Sequence, residues 1–571
     1  MNRRNLMKNQ KLHVTREYKD IRELLEWSAD TFGERNAFSY ASPKNKKETE
    51  TVTFASFRDD VRALTTELRS MGVTDKHCAV VGKMSYEFAL LYYSILSAGG
   101  VIVPLDRDWS AKELAKTAAR ADASFLFIDE DIKDKAETIE AEAKLLSSAF
   151  VLRGRRNGSD LDKLIDAGAE KFAKDSSPYF DSPIDPQRMA LIVFTSGTTG
   201  EGKGVMLNQT AVIKDMSNII AYIDFADKTV SVLPPHHTYG STVMLIGHVM
   251  IGCEMYISSG LRYIQRELKE QKPGHLVLVP LYLETFYRKI WATIKEKGKE
   301  KLVTRMIKIS NALRKIGIDL RKLLFKDIVA AFGGKAKMVI SGGAPINSEI
   351  LHFFESVGVA TLNGYGITEC APLIAVNRSK NVVPGSVGNV LDMDTVVIDS
   401  PNEDGEGEIW VSGPNVMLGY YKNEEATAAA LTPDGFFKTG DYGKVDENGI
   451  LYITGRKKNL IILSNGKNVY PEEIESDLLA TPGLLDIIVY EGQSRRGMEH
   501  NAIVAEVYTD KDYMEKNGIT DVKKYIQGYV DEYNKTAVPY KKIAVLKVRD
   551  EEFPKNTLRK IQRFKLDMSI D

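Results

Sequence analysis

The stretch that decides the fold is "MALIVFTSGTTGEGKGVMLN", residues 189–208. It begins with an apolar run, passes through a loop of glycine, serine and threonine that carries Lys203, and continues with alternating apolar and polar residues. The apolar run and the alternating segment both predict strands. Glycines let backbone N–H groups approach an anion, and the hydroxyls and the lysine add donors, so the loop between the strands suits a polyphosphate. An ordinary surface turn uses the same residues and is the simpler alternative for this loop taken alone.

The spacing Gly197-x-x-x-x-Gly202-Lys203 satisfies most of the Walker pattern of P-loop NTPases. Gly204, however, stands where a Ser or Thr must bind magnesium. A Walker loop also leads directly into a helix, whereas the helix-capping signal here comes later, at residues 208–210. We therefore do not expect a P-loop NTPase.

Outward from this stretch, short apolar runs alternate with helical patterns from "CAVVGK" at residue 78 to "SFLFID" at residue 129, and the alternation resumes between residues 189 and 366. This order predicts an α/β fold with parallel sheets, whose strand ends carry the ligand site. Short strands from about residue 377 to 453 predict a β-rich subdomain within a large N-terminal domain, 1–455. The tail, 456–571, predicts a smaller α+β domain.

Composition narrows the class of protein. With 571 residues, 43% of them hydrophobic, the chain can form several structural units. A net charge of -1 gives no general attraction to nucleic acid. The three cysteines are far apart and odd in number, which indicates buried thiols in a reducing compartment, and the N-terminus lacks the pattern of a secretory signal. We expect a cytoplasmic protein.

Two segments invite a membrane interpretation. Residues 88–105, "FALLYYSILSAGGVIVPL", are long enough to span a bilayer, but Gly99, Gly100 and Pro104 divide them into a helix and a strand. Residues 288–326 are basic and amphipathic, with apolar side chains at helical spacing, namely Leu302, Met306, Ile309, Leu313 and Ile316. The simpler interpretation is that this stripe packs into the core beneath a solvated basic face. The alternative is contact with an anionic membrane surface.

Six further motifs follow the loop: "LPPHHTYG" (233–240), "SGGAP" (341–345), "NGYGITE" (363–369), "KTGD" (438–441), "GRKKNLIILSNGKNVYPEEIE" (455–475) and "PKNTLRK" (554–560). On their own chemistry, the ring of Tyr365 could stack on a base and Glu369 could bind Mg²⁺. In this order the motifs resemble the adenylate-forming superfamily, which includes acyl-CoA synthetases, peptide-synthetase adenylation domains and luciferases.

The resemblance implies a nucleotide site. Tyr365 is implied to lie against adenine, Thr368 to contact the α-phosphate, and Glu369 to bind Mg²⁺. Asp441 is implied to accept hydrogen bonds from the ribose hydroxyls, with Arg456 beside it. The full set of implied nucleotide-binding residues is Thr195, Ser196, Gly197, Thr198, Thr199, Gly200, Lys203, Gly342, Gly343, Ala344, Tyr365, Gly366, Asp441 and Arg456.

The resemblance also assigns three residues to the acid substrate and to domain motion. His237 corresponds to the residue beside the substrate carboxylate, and the segment after it to the helix that lines the acyl pocket, where Gly240, Ser241 and Gly247 would leave the wall open. Lys560 corresponds to the lysine that contacts the carboxylate and the α-phosphate during adenylation. Lys458 matches the pivot of the C-terminal domain. The sequence departs from the family pattern at two positions. Arg559 stands where Gly is common, and Gly202 stands where Pro is usual. The glycine at position 202 should loosen the phosphate loop. The pair His236-His237 lacks the accompanying ligands of a zinc site.

The activity that the resemblance implies is a two-step ligation with ATP, Mg²⁺ and CoA. A carboxylate would attack the α-phosphorus of ATP, and a thiol would then displace AMP. The pocket motif lacks the aspartate that holds an amino group in peptide synthetases, and the basic helical segment is similar to one in long-chain fatty acyl-CoA synthetases. We therefore expect a medium-to-long fatty acid. Transfer to an acyl carrier protein, an aryl acid substrate, and a non-catalytic nucleotide- or lipid-binding protein are the alternatives.

Overall fold

The computed structural model describes residues 10–42, 45, 47–154, 157–195, 202–260, 262–344, 346–462, 468–479, 481–492, 502–555 and 561–569. Of the predicted site residues, those at positions 196–200 and Lys560 lie outside the described residues. The architecture is α/β, as predicted, with several sheets that contain parallel strands.

The opening stretch lies in a seven-stranded sheet. Its two segments form an antiparallel pair, Met189–Phe194 with Gly204–Asn208, so the prediction of a strand after the loop is confirmed. The first of these strands continues a parallel sheet. From edge to edge the sheet consists of Gly419–Tyr420, Gly204–Asn208, Met189–Phe194, Val101–Leu105, His77–Val81, Ala123–Asp129 and Phe150–Leu152.

A nine-stranded sheet carries the second group of motifs. Its first three strands are parallel and the remainder are antiparallel, so the strands between residues 377 and 456 extend the same sheet that contains the "NGYG" strand. In order they are His275–Leu278, Met338–Ser341, Ala360–Gly366, Leu373–Val376, Gly388–Val390, Ile450–Arg456, Phe437–Val445, Gly407–Ser412 and Thr395–Asp399.

Three smaller sheets complete the strands. A four-stranded sheet has the order Thr49–Thr53, Asn36–Ala41, Glu254–Ile257, Lys228–Ser231. The C-terminal part contains a pair, Ile461–Ile462 with Asn468–Val469, and a three-stranded sheet of Leu484–Gly492, Ala502–Thr509 and Val545–Arg549. These C-terminal strands share an apolar core of their own with three helices, and the core includes Ile474, Met514 and Val530. The domain boundary at residue 456 stays a prediction.

Helices pack on the sheets, and polar caps set where several of them begin. Ser110 and Glu113 form a reciprocal cap for one helix, and the Asn208 side chain accepts from the Ala211 N–H to start another, as the sequence predicted. The principal helices are Ile21–Phe32, Phe54–Ser70, Tyr86–Ser97, Ala111–Arg120, Ala136–Glu142, Asp160–Lys174, Gln209–Ile220, Tyr239–Gly247 (a π-helix) continued by His248–Met250, Ile264–Gln271, Pro280–Glu296, Glu300–Lys315, Ser348–Val357, Glu424–Ala430, Pro471–Leu478, Lys511–Lys516 and Val522–Thr536. Shorter helices cover Ser177–Phe180, Arg321–Leu324 and Lys326–Val329.

The two membrane candidates have different outcomes. Residues 88–105 are divided between the buried helix Tyr86–Ser97 and the buried strand Val101–Leu105, as predicted. Within the described chain, no helix combines the length and apolar character that a bilayer crossing requires. In the basic segment, the prediction that the whole apolar stripe packs into the core is wrong, because Leu302, Ile309 and Ile316 are exposed. All three cysteines are buried and unbridged, as expected.

Candidate active site

The base of the phosphate loop is held by backbone and side-chain hydrogen bonds. Phe194 pairs with Gly204, and the Thr195 N–H donates to the Lys203 carbonyl at 3.0 Å, so the two ends of the loop are joined. Arg120 Nη2 donates to the Gly202 carbonyl at 2.8 Å. A Cβ atom at position 202 would overlap the Thr195 carbonyl oxygen. Glycine at position 202 therefore permits the close approach that joins the strands. The expectation that Gly202 loosens the loop concerns residues 196–201, which lie outside the described residues, and it stays a prediction.

Lys203 and Glu369 face one polar cleft. Lys203 Nζ lies 4.7 Å from the centre of the Tyr420 ring, and the Tyr420 hydroxyl donates to Glu369 Oε1 at 2.8 Å. Glu369 is half-buried on a short 3₁₀ turn, Thr368–Cys370, directly after the "NGYG" strand. Burial raises the pKa of Glu369, so a cation in the cleft would favour its carboxylate form. The other residues that line the cleft include Ile367, Lys438, Thr439, Gly440 and Arg456.

Asp441 is the centre of a second polar cluster. It pairs with Arg456 across the antiparallel strands Phe437–Val445 and Ile450–Arg456, and Arg456 Nε donates to Asp441 Oδ1 at 2.9 Å. The hydroxyl of Tyr365 donates to the other oxygen, Oδ2, at 2.7 Å. Burial and the Asp441 carboxylate raise the pKa of Tyr365 well above its usual value, so the phenol stays a donor. Asp441 is 2% exposed and its carboxylate is oriented from both sides.

The glycines predicted to face a nucleotide are required at their positions for different structural reasons. A Cβ on Gly342 would lie 3.3 Å from the ring of Tyr239, and Gly343 has φ +86°, where side chains are strained. Ala344 follows them, partly exposed, on the same loop. Gly366 is required by the fold itself, because a Cβ there would overlap the carbonyl of Pro372 in the adjoining hairpin.

An apolar cavity borders the "NGYG" strand at Gly364. Gly342 and Gly364 border it, and so do two helices, Gln209–Ile220 and the π-helix that starts at Tyr239. None of the described residues that line it carries a formal charge. The aliphatic and aromatic wall includes Met216, Ile219, Ile223, Phe225, Val243, Ile340 and Val376.

The helix after His237 forms a wall of this cavity, as the resemblance implies, through Tyr239, Val243 and Gly247. The idea that Gly240 opens the wall is wrong. A Cβ at Gly240 would overlap the Pro234 carbonyl, so this glycine serves chain packing. His237 is half-buried at the turn before the helix, with its ring centre 4.3 Å from that of His236. His236 Nε2 lies 3.5 Å from Asp106 Oδ2.

A buried histidine pair lies at the wall of the cavity, which His248 borders. His248 Nδ1 lies 3.1 Å from the carbonyls of Val243 and Met244, so it carries a proton, while His275 Nδ1 accepts from the Ala226 N–H. The 2.9 Å contact between the two Nε2 atoms is therefore a donation from His275 to His248. Burial lowers the pKa of His248 to about 4. Although Cys253 lies near enough to complete a set of metal ligands, every ring nitrogen already has a partner, and the pair is neutral.

A family comparison identifies this arrangement. The model of the family described as AMP-binding enzyme matches residues 25–421, which hold the loop, the cavity, the 3₁₀ turn and Tyr420. The chain belongs to the AMP-binding enzyme family. The predictions of an adenylate-forming fold and of an AMP-forming acid–thiol ligase are confirmed, and the expected reactants ATP, Mg²⁺ and CoA are those of this family.

Curated relatives of this AMP-binding enzyme activate long-chain fatty acids. The long-chain-fatty-acid–CoA ligase of Mycobacterium bovis is 29% identical over 462 residues, 77% of this chain and 75% of that protein. The chloroplastic long-chain-fatty-acid–acyl-carrier-protein ligase of Arabidopsis thaliana is 28% identical over 559 residues, 84% of this chain and 75% of that protein.

Solved structures share the fold of this AMP-binding enzyme. ATP-bound MatB from Rhodopseudomonas palustris has a TM-score of 0.73 and 24% identity, and covers 95% of this chain and 97% of that one. The O-succinylbenzoate coenzyme A synthetase of Bacillus subtilis in complex with AMP has a TM-score of 0.70 and 22% identity, with the same coverage.

In this AMP-binding enzyme, Lys458 lies on the 3₁₀ turn Lys457–Asn459, between the last strand of the nine-stranded sheet and the C-terminal part. Its side chain is exposed, although partial burial and the neighbouring Arg456 lower its pKa. The adjacent Lys457 is bound to Glu408 at 2.7 Å. Lys458 thus lies where the chain passes between the two parts.

Two residues of the site were not predicted. Arg120 holds the base of the phosphate loop and Tyr420 holds Glu369. In sequence, Arg120 is 82 residues from its partner Gly202, and Tyr420 is 51 residues from its partner Glu369. Both lie outside the motifs, and the sequence gives no spacing that links them to the site. Tyr420 follows Gly419 on an edge strand that pairs with Gly204–Asn208, and this pairing brings it to the cleft.

Proposed function

We propose that the protein converts a medium-to-long-chain fatty acid to its acyl-adenylate and then to its CoA thioester. The observation that carries this proposal is the uncharged cavity beside the polar cleft. The two spaces lie along one strand and the turn after it, Gly364 bordering the cavity and Glu369 the cleft. The apolar wall suits an alkyl chain in its chemistry, although the cavity encloses only about 20 Å³ and must widen to admit one. The polyphosphate fits the larger cleft, about 300 Å³, that Lys203 and Arg456 line. The curated relatives that act on long-chain fatty acids support the same substrate.

In the first step an oxygen of the fatty acid carboxylate attacks the α-phosphorus of ATP, and pyrophosphate leaves. Lys203 would neutralise charge on the phosphates, the hydroxyl and backbone N–H groups of residues 195–200 would donate hydrogen bonds to them, and Thr368 would contact the α-phosphate. Glu369 fits Mg²⁺, because it is a hard oxygen donor, and because burial raises its pKa despite the charges of Arg456 and Lys203, so a bound cation would stabilise its carboxylate form. Bound Mg²⁺ supplies charge neutralisation on the phosphates. Lys560, which lies outside the described residues, and His237 are proposed to contact the acid's carboxylate.

The ribose and base have separate supports. Asp441, held by Tyr365 and Arg456, is a pre-oriented acceptor for the ribose hydroxyls. The ring of Tyr365 and the backbone at Gly342, Gly343 and Ala344 border the space for adenine. Such preorganised contacts lower the barrier because they need no rearrangement during reaction.

In the second step the thiol sulfur attacks the acyl carbon and AMP leaves. We propose CoA as the thiol, with rotation of residues 456–571 about Lys458 between the steps. An acyl carrier protein is the second candidate, which the Arabidopsis relative favours. We propose a cytoplasmic enzyme that contacts a membrane peripherally, since its substrate is sparingly soluble.

The test is pyrophosphate release across fatty acids from octanoate to stearate, benzoate and amino acids, followed by mass spectrometry of the thioester with CoA or with carrier protein. We expect release with fatty acids and thioester formation with CoA. If benzoate or amino acids were turned over and fatty acids were not, the proposed fatty acid substrate would be refuted. Thioester on the carrier protein alone would refute CoA, and no release with any acid would indicate a non-catalytic binding protein. Glu369→Gln serves as the inactive control.

A further inference from the structure

The helix Glu300–Lys315 carries a row of exposed aliphatic side chains. Leu302 is 53% exposed, Ile309 48%, and Ile316, directly after the helix, 71%. Residues seven apart on a helix lie on one face, so the three form a single row. Leu323, further along the same segment, is 77% exposed. Exposed aliphatic side chains that recur along one face of a helix indicate a surface that contacts something apolar.

A row of lysines runs beside the aliphatic row. Lys301, Lys308 and Lys315 each precede a member of the aliphatic row by one residue, and all three are exposed. Arg305 is exposed between the first two. Within the described part of the chain, no carboxylate lies within 4.0 Å of these four cations, whereas the neighbouring Arg314 is paired with Glu355 at 2.8 Å. The face therefore combines aliphatic surface with uncompensated positive charge.

The neighbouring face of the helix is anchored to the core and fixes these rows outward. Val303, Met306 and Ile307 pack against the apolar core of the nine-stranded sheet. Asn311 Nδ2 donates to Ser356 Oγ at 2.9 Å, which attaches the helix to its neighbour Ser348–Val357. Turning the aliphatic row inward would break these contacts.

We propose that this docking face, formed by the aliphatic row and the lysine row, binds an anionic membrane surface. The aliphatic side chains would enter the boundary of the acyl chains, and the lysines would lie at the lipid phosphates. The net charge of the whole chain is -1, so the attraction comes from this face and not from the molecule as a whole.

A second copy of the chain fits the docking face poorly. A coiled-coil seam needs apolar residues at two positions of each seven. Met306 and Leu313 complete that spacing in the sequence, but Met306 packs against the chain's own apolar core, so the exposed row supplies one position of each seven. A twofold contact would also bring the lysine rows of both copies together, and like charges repel. An anionic lipid surface meets both rows with complementary chemistry.

Membrane binding by the docking face extends the proposed function. It rests on that function for its biological purpose, because fatty acids partition into membranes and the enzyme would meet its substrate there. The experiment is vesicle flotation with vesicles of phosphatidylcholine alone and of phosphatidylcholine and phosphatidylglycerol in equal amounts. One variant replaces the three lysines (Lys301→Glu, Lys308→Glu, Lys315→Glu). A second replaces the aliphatic row (Leu302→Ser, Ile309→Ser, Ile316→Ser). A control with the same charge change replaces exposed lysines of the C-terminal part (Lys516→Glu, Lys523→Glu, Lys524→Glu).

We expect the wild type to float with anionic vesicles and to be released by high salt. The lysine variant should lose roughly 100-fold in partition coefficient, the aliphatic variant roughly 10-fold or more, and the control much less than either. All variants should keep wild-type pyrophosphate release with octanoate, a soluble acid, which shows that they are folded. No binding of wild type to anionic vesicles, or an equal loss in the control, would overturn the docking face. If no fatty acid caused pyrophosphate release from ATP while flotation followed the expected pattern, the proposed function would be wrong and the docking face would stand.

Discussion

One hydroxyl group orients the carboxylate that we assign to Mg²⁺. The Tyr420 hydroxyl donates to Glu369 Oε1 at 2.8 Å. Tyr420→Phe removes this bond and keeps the ring beside Lys203. A hydrogen bond to a charged group contributes about 1.5 kcal/mol or more, so we expect the Mg²⁺ concentration for half-maximal pyrophosphate release to rise roughly tenfold. Activity at saturating Mg²⁺ should be largely retained, and the measurement is an Mg²⁺ titration.

The matched control is Tyr421→Phe. The hydroxyl of Tyr421 donates to Asp122, away from the cleft, so this variant should keep the wild-type Mg²⁺ dependence. Tyr420 would not be a positioning residue for the metal if its variant lost the same fraction of activity at every Mg²⁺ concentration.

Individual residues of the site could be predicted to different degrees. Asp441, Arg456 and Tyr365 belong to motifs, so the resemblance could place them at one nucleotide. Their direct contacts with one another come from the strand register and could not be predicted from the motifs. Tyr420 could not be predicted at all, because its partner is distant in sequence and tyrosine is common in buried strands.

A buried carboxyl pair makes stability depend on pH. Burial raises the pKa of Asp394 from 3.8 to about 7 and that of Asp215 well above its usual value. Oδ1 of each has no hydrogen-bond partner among the described residues. Between the unfolded and folded pKa values the folded state binds more protons, so the free energy of unfolding falls as pH rises through this range.

Asp394→Asn removes the contribution of Asp394 to this dependence. Relative to wild type, the variant should gain about 1 to 2 kcal/mol of stability between pH 5 and pH 8, less than the full shift because Asp394 is partly exposed. Urea unfolding at both pH values measures it. Asp392→Asn is the control of opposite sign. Burial opposes ionisation of Asp392, but hydrogen bonds from Tyr222 and Arg378 lower its pKa, so its loss should not stabilise the protein at pH 8. The prediction would be contradicted if the difference in free energy of unfolding between Asp394→Asn and wild type were the same at pH 5 and pH 8.

Among the elements, the hairpin under the phosphate loop depends on close backbone approach. A Cβ at Gly202 would overlap the Thr195 carbonyl and disturb the bond from Arg120. We expect Gly202→Ala to raise the KM for ATP by about 10- to 100-fold, since small displacements of positioning groups have effects of this order. Steady-state kinetics with ATP varied measure it.

Gly528→Ala is the control for this substitution, because Gly528 lies in the helix Val522–Thr536 with open space around it and alanine favours helices. It should leave the KM for ATP unchanged. A wild-type KM in Gly202→Ala would show that the loop base tolerates a side chain and that its close approach is not required.

Secondary structure and burial were predicted well where the spacing of apolar residues followed one period, and poorly where two apolar stripes overlapped. Alternation after Lys203 predicted a strand, and the structure has it. In the helix Glu300–Lys315, two aliphatic stripes overlap: Val303, Met306 and Ile307 on one side, and the row of Leu302, Ile309 and Ile316 on the other. Contacts with the distant helix Ser348–Val357 decide which stripe is buried, and these contacts are not visible in the local sequence.

At the scale of the whole molecule, a few polar contacts link the C-terminal part to the larger part. Asn347 Nδ2 donates to the Ser476 carbonyl at 2.9 Å, and Lys295 Nζ donates to Asn517 Oδ1 at 3.0 Å. Each of these bonds is worth about 1 kcal/mol. The rotation proposed about Lys458 would also have to separate the rings of Tyr442 and Tyr470, whose centres lie 6.1 Å apart, and the helix Pro471–Leu478 from the strand Ile450–Arg456. The sequence predicted two parts through the change of motif, but it could not predict which surfaces meet.

The last prediction tests whether the two half-reactions use the C-terminal part differently. Lys560→Ala should reduce adenylation by about 10²- to 10³-fold, because a positioned cation between the carboxylate and the α-phosphate is lost. Thioester formation from supplied acyl-adenylate and CoA should survive, since Lys560 acts only in the first step. Single-turnover assays of both steps measure it.

Lys555→Ala is the matched control for Lys560→Ala. Lys555 Nζ is bound to Asp486 at 2.7 Å and to Glu552 at 2.8 Å, so its charge is already engaged within the C-terminal part and its loss should affect the two steps alike. Equal loss of both steps in Lys560→Ala would contradict domain rotation, because a lysine that serves one step only cannot be needed equally by the other. Normal adenylation in Lys560→Ala with a steep loss in Lys555→Ala would transfer the role to Lys555, and would mean that this ion pair opens when the acid binds.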